Sequence, residues 1–117
     1  MDRTFRPVLT LRLFCGEEKC FGPGVAELLR RVKAEHSLRA AAISMGMAYS
    51  KAWTVIKNSE AALGFKLLVS TTGGKHGGGA SLSPEAERLL AAYEEYRQRL
   101  RRYAEDEFAS CFPELTE

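Results

Sequence analysis

The chain has 117 residues, 45% of them hydrophobic and 27% charged, the composition of a folded domain with a modest core. Its apolar runs are far too short to span a bilayer, and no basic-then-apolar leader opens it, so neither a membrane segment nor a secretory signal is expected. Cys15, Cys20 and Cys111 are odd in number, which argues against a disulfide framework and makes a reducing cytoplasm the expected location.

Val8 to Phe14 alternates, with Leu9, Leu11 and Leu13 on one face, and predicts a half-buried strand. Cys15 to Lys19 reads as a polar turn. Gly22-Pro23 suits a helix start, because proline at the first helical position loses no needed N–H. Val25, Leu28, Leu29 and Val32 then form an apolar stripe at helical spacing. Ser37 is a candidate N-cap for a second, short helix with Leu38, Ala41, Ala42 and Met45 inward. Gly46 can take the left-handed conformation that stops it. A third helix is predicted from Ala48 or Tyr49 to Leu63, with Ala52, Ile56 and Leu63 inward and Gly64 closing it.

Lys66 to Thr72 is a strand candidate, and Ala80 to Leu82 can return beside it. The GGKHGGG run from Gly73 to Gly79 lies between them as a hairpin tip. Ser83-Pro84-Glu85 signals a fourth helix: a cap, a proline at the first position and an acid in the first turn. No glycine or proline interrupts it to about Phe108. Leu89, Tyr93, Tyr96, Leu100 and Tyr103 follow the heptad spacing of a helix that packs along another helix.

Helix, glycine turn, helix, hairpin and long helix, in that order, are the plan of a winged helix-turn-helix. The expected fold is mainly α with a small β component: a winged module over residues 8–82 and a dimerisation helix over 83–110. The third helix would present Tyr49, Ser50, Lys51, Thr54, Lys57 and Asn58 to phosphates and base edges of double-stranded DNA. Lys75 and His76, at the glycine tip, would reach the DNA backbone or a minor groove. Trp53 is expected in the core or between helix and hairpin.

Charge distribution agrees: residues 1–83 hold 12 Lys/Arg against 6 Asp/Glu, and residues 84–117 hold 5 against 9. The basic part can meet a polyanion, with the acidic tail held away. The glycine run fits neither a P-loop nor a dinucleotide fingerprint. Cys15 and Cys20 have four residues between them, and His36 and His76 stand alone, so no zinc spacing appears and no metal is expected. No nucleophile–base order or isolated carboxylate pair suggests an enzyme.

The stretches GPGVAELLRRV, SLRAAAISMGMAYSKAWTVI and TTGGKHGGGASLSPEAERLL resemble the N-terminal domain of ModE-type molybdate-responsive regulators, itself similar to the LysR-type winged helix-turn-helix. The resemblance covers about Val8 to Tyr103 and is most specific at MAYSKAW and GGKHGGG. It implies a cytoplasmic regulator that binds a palindromic operator as a homodimer through the long helix. It assigns recognition to Tyr49, Ser50, Lys51 and Thr54 and wing contacts to Lys75 and His76. Ala48 stands where the family usually has a serine cap, and His76 interrupts a wing that is often all glycine after the lysine. The molybdate-binding domains that follow in full-length ModE proteins are expected to be absent. No cofactor is therefore expected, and a separate oxyanion-binding protein is a possible partner. Two rival expectations stand beside this one: a protein-interaction module working through its heptad helix, and an oxyanion site at the glycine-rich loop.

Overall fold

A computed structural model describes residues 3–71 and 79–116 of the chain. Residues 3–12 carry no regular structure, and the first strand, β1, covers only Leu13–Cys15. It pairs antiparallel with β2, Glu18–Phe21, around a turn at Gly16, whose φ of +63° suits glycine. The predicted strand over Val8 to Phe14 is thus mostly unpaired, and the predicted turn over Cys15 to Lys19 is half of a hairpin. Alternation reports a face, not a partner: Val8 and Leu9 have none and are exposed. Phe21, at the end of β2, is fully buried.

Helix α1, Pro23–Glu35, starts on Pro23 as predicted and buries Val25, Ala26, Leu28, Leu29 and Val32. Full burial of each large aliphatic side chain contributes about 1.5–3 kcal/mol. The helix ends at His36, which takes a left-handed conformation at φ +60° and donates its N–H to Val32 O. The His36 carbonyl then accepts from Ala80 N at 2.9 Å, tying this corner to the hairpin.

Helix α2, Leu38–Ser44, is capped by Ser37, whose hydroxyl accepts from Ala40 N at 3.0 Å. Gly46 is left-handed at φ +64°, and α3 follows from Tyr49 to Leu63, closed by a left-handed Gly64. Ala41, Ala42 and Ala52 have no exposed surface, and Ile56 is buried against them. Strands β3, Leu68–Thr71, and β4, Gly79–Leu82, pair antiparallel from Leu68↔Leu82 to Thr71↔Gly79.

Helix α4, Pro84–Cys111, ends one residue beyond the predicted span and is capped by Ser83, which accepts from Ala86 N and donates to Lys66 O. Only its first part enters the core, through Ala86, Leu90 and Tyr93. Tyr93, expected on the dimerisation seam, is turned inward and only 3% exposed. Its ring meets Phe21 edge-on at 4.9 Å, and its hydroxyl donates to Leu11 O at 2.8 Å. A heptad spacing marks an apolar stripe without saying which helix covers it, and here the chain's own β2 and N-terminal segment cover Tyr93. Leu89 is half-buried against the same core. Arg30 on α1 pairs with Glu94, and Lys33 with Glu87, so ion pairs fasten α4 to α1.

The buried Glu60 on α3 was not singled out by the sequence. Its Oε2 accepts from Leu67 N at 2.8 Å and Leu68 N at 3.3 Å, and its Oε1 meets Lys57 Nζ at 3.3 Å. Burial acts to raise its pKa, but the two amides and Lys57 outweigh burial and hold the carboxyl below its ordinary 4.5. The stability it contributes is therefore present above pH 4.5 and lost as pH falls through the lowered value. Glu60→Gln should destabilise the fold by about 1–3 kcal/mol at neutral pH. Thermal unfolding should show that deficit shrinking in acid; a deficit that acid leaves unchanged would remove the charge from the account.

Candidate nucleic-acid interface

The α2–turn–α3 unit sets one face of α3 outward because the other is committed to the core. Ala52, Ile56, Ser59 and Glu60 point inward. The opposite face carries Ser50, Lys51, Trp53, Thr54 and Asn58, all exposed, with Lys57 at its edge. Tyr49 begins the helix and is also exposed. Small residues make the arrangement possible, since Ala41, Ala42 and Ala52 are fully buried in the core and larger side chains there would disturb the packing of α2 and α3.

Two cation–aromatic contacts organise this surface. The Arg39 guanidinium, from α2, lies 4.3 Å from the centre of the Tyr49 ring. Lys57 Nζ lies 5.5 Å from the Trp53 ring centre and close to Glu60. Arg39 was missed in the sequence. Its signal was weak, a lone cation one residue after the buried Leu38, and only the α2–α3 crossing brings it to Tyr49. Trp53 is corrected outright: it is 48% exposed on the outward face, not in the core. Its position follows from helical phase, since it stands one residue past the buried Ala52 and four before Lys57.

Thr54 is less available than its exposure suggests, because its hydroxyl donates back to Ser50 O at 2.9 Å. Its lone pairs stay free to accept. Ala48 caps α3 without any side-chain hydrogen bond, so no side chain competes for the first amides of the helix. An uncapped N-terminus of this kind favours an anion such as a phosphate oxygen. Lys51, in the first turn, and Arg39, over the Tyr49 ring, supply positive charge near it.

Lys75 and His76 lie outside the described residues. Strand β3, which leads towards them, begins just after α3, where Glu60 holds the amides of Leu67 and Leu68. Tyr96, Leu100 and Tyr103 are on the outer part of α4, beyond Tyr93, its last buried residue. Among the described residues no group of three or more His, Cys, Asp or Glu side chains could hold a metal ion.

A model of bacterial regulatory helix-turn-helix proteins of the lysR family matches residues 25–87, from the first turn of α1 into the first turn of α4. The chain belongs to the lysR family of bacterial regulatory helix-turn-helix proteins. This lysR-type module is 38% identical over 66 residues to the molybdenum-pterin-binding protein MopB of Rhodobacter capsulatus, covering 56% of the chain and 24% of the relative. It is 35% identical over 72 residues to the molybdenum transport protein ModE of Herbaspirillum seropedicae, covering 62% and 27%. It is 33% identical over 88 residues to the DNA-binding transcriptional dual regulator ModE of Escherichia coli K12, covering 74% and 32%. The chain thus spans about a quarter to a third of the length of these relatives. The ModE-type resemblance of the helix-turn-helix part is upheld, and a lysR-type regulatory module is not an enzyme.

Trp53 is the only tryptophan, so its emission reports on the lysR-type α3 alone. In the free protein it should be readily quenched by a neutral solute such as acrylamide. Saturating duplex DNA should protect it severalfold; equal quenching with and without bound DNA would place the duplex elsewhere.

Proposed function

We propose that this chain is a sequence-specific, DNA-binding transcriptional regulator of the ModE type. The observation that supports it best is the outward face of α3, which gathers Lys51, Lys57, Ser50, Thr54, Asn58 and Trp53 within a matched helix-turn-helix. In this reading α3 enters the major groove, with hydroxyl, amide and ammonium donors for base edges and phosphates. Tyr49 and Arg39 position the start of the helix against the backbone. Lys75 and His76 contact phosphates or a minor groove beside it.

Residues 8–82 form the DNA-binding part in this proposal, and residues 83–110 join two copies into a homodimer. Tyr96, Leu100 and Tyr103 carry the pairing, with Leu89 at its near end. Two-fold symmetry sets two recognition helices about one DNA turn apart, so the operator is an inverted repeat. The regulator works in the cytoplasm; no helix among the described residues is long and apolar enough to cross a membrane. Two relatives bear names that refer to molybdenum, which makes genes of molybdenum transport or metabolism the proposed targets. Molybdate sensing by a separate oxyanion-binding protein is part of the same proposal.

Selection from random duplexes at moderate salt, followed by sequencing, tests the reading. An inverted repeat should be enriched; a folded protein that enriches nothing would count against sequence-specific binding. Lys51→Ala and Lys57→Ala should each weaken binding and reduce the slope of log affinity against log salt by about one. Unchanged affinity in both variants would remove α3 from the interface.

A further inference from the structure

The outward face of α3 carries one group that differs in kind from its neighbours. Ser50, Lys51, Thr54 and Asn58 are exposed and can all make hydrogen bonds. Trp53, 48% exposed beside them, offers a single N–H and a broad apolar ring. The packing of α3 is met without that ring, because Ala52 and Ile56 fill the core side of the same turns.

The ring is also held in place. Lys57, one turn further on, sets its ammonium 5.5 Å from the ring centre. The same ammonium lies 3.3 Å from Glu60 Oε1, and Glu60 Oε2 is fixed by the amides of Leu67 and Leu68. A chain of contacts thus steadies Trp53 from the next turn of its own helix. A side chain ordered before it binds loses less freedom on binding.

Trp53 is the fifth residue of α3, within the part of a recognition helix that approaches base edges. A duplex offers few surfaces that suit it. Phosphates call for cations and N–H donors, and most base edges call for hydrogen bonds. Stacking on a base would need that base taken out of the helix. The apolar group in the major groove is the 5-methyl of thymine. Cytosine in the same place would set its amino group against the ring, which has no acceptor to meet it.

We propose that Trp53 is a specificity-determining residue whose ring packs on the 5-methyl group of a thymine in each half-site, selecting a T·A pair there. This rests on the DNA-binding regulator reading above and adds a base preference to it. The polar neighbours hold the duplex and read other edges, and Trp53 reads by apolar contact.

The probe is the duplex that the full chain enriches from a random pool, with each thymine in turn replaced by deoxyuridine, which pairs alike and lacks only the methyl. At one thymine per half-site the replacement should weaken binding about fourfold, the worth of one buried apolar carbon. Trp53→Ala should bind the thymine duplex more weakly and should bind the deoxyuridine duplex equally well, so that the two changes are coupled. A pool selected by Trp53→Ala should show no base preference at that position. Trp53→Leu keeps an apolar side chain and should keep part of the preference. Should Trp53→Ala bind too weakly to measure, Trp53→Leu decides: a preference wholly lost in that variant overturns the proposal. Half-sites without thymine, or a deoxyuridine effect of equal size with and without the ring, would also overturn it while leaving the regulator reading in place. A folded protein that enriches no sequence would sink both.

Discussion

The close approach of α2 and α3 is the constraint on which the rest of this fold depends. Ala41, Ala42 and Ala52 have no exposed surface, and each is there because it is small. The two helices lie near enough for a turn of Met45, Gly46, Met47 and Ala48 to join them, with Gly46 in the left-handed region. Ile56 fills the space that remains beneath. Once that contact is made, the phase of α3 is no longer free. Its polar face must look outward, and Trp53 must go with it although it is the bulkiest apolar residue on the helix. Propensity and size would have buried that ring, and helix geometry overrode them.

Polar joints do the remaining work of alignment, and they join different elements of the fold. Glu60 fastens the end of α3 to the start of β3 through two backbone amides. Ser83 serves two elements, accepting from the first turn of α4 and donating to Lys66 O. Ser59 reaches Cys20 O and so ties α3 to β2. Among the described residues no buried side-chain nitrogen or oxygen lacks a partner. That matters because an unmet buried polar group costs more than a satisfied one gains.

Most of the helical framework was legible because its signals are local. Ser37, Ser83, Pro23 and Gly64 act within one turn of themselves, and the stripe Val25, Leu28, Leu29 and Val32 needs only periodicity. What the sequence concealed was non-local. Whether Val8 to Leu11 has a strand partner depends on residues elsewhere, and so does whether Tyr93 meets a second copy or Phe21. The left-handed His36 had no glycine to announce it. At the candidate interface the outward positions Ser50, Lys51, Thr54 and Asn58 followed from phase. Arg39 did not, because it reaches Tyr49 only through the crossing of two helices. Lys75 and His76 lie outside the described residues, so their place rests on the sequence alone.

Anchorage at one end makes α4 a lever. Ala86, Leu90 and Tyr93 clamp its first third, and Arg30 and Lys33 of α1 grip it by ion pairs. The remaining turns project from that fulcrum. The turns beyond Tyr93 span about 27 Å, so a tilt of about 5° at the clamp displaces the far end by roughly 2 Å. The relation also runs backwards. A force on the far end acts with mechanical advantage on α1, whose buried face shares its packing with α2 and α3. Whatever holds the tip of α4 therefore has a stiff rod through which to aim the helix that carries Lys51 and Trp53.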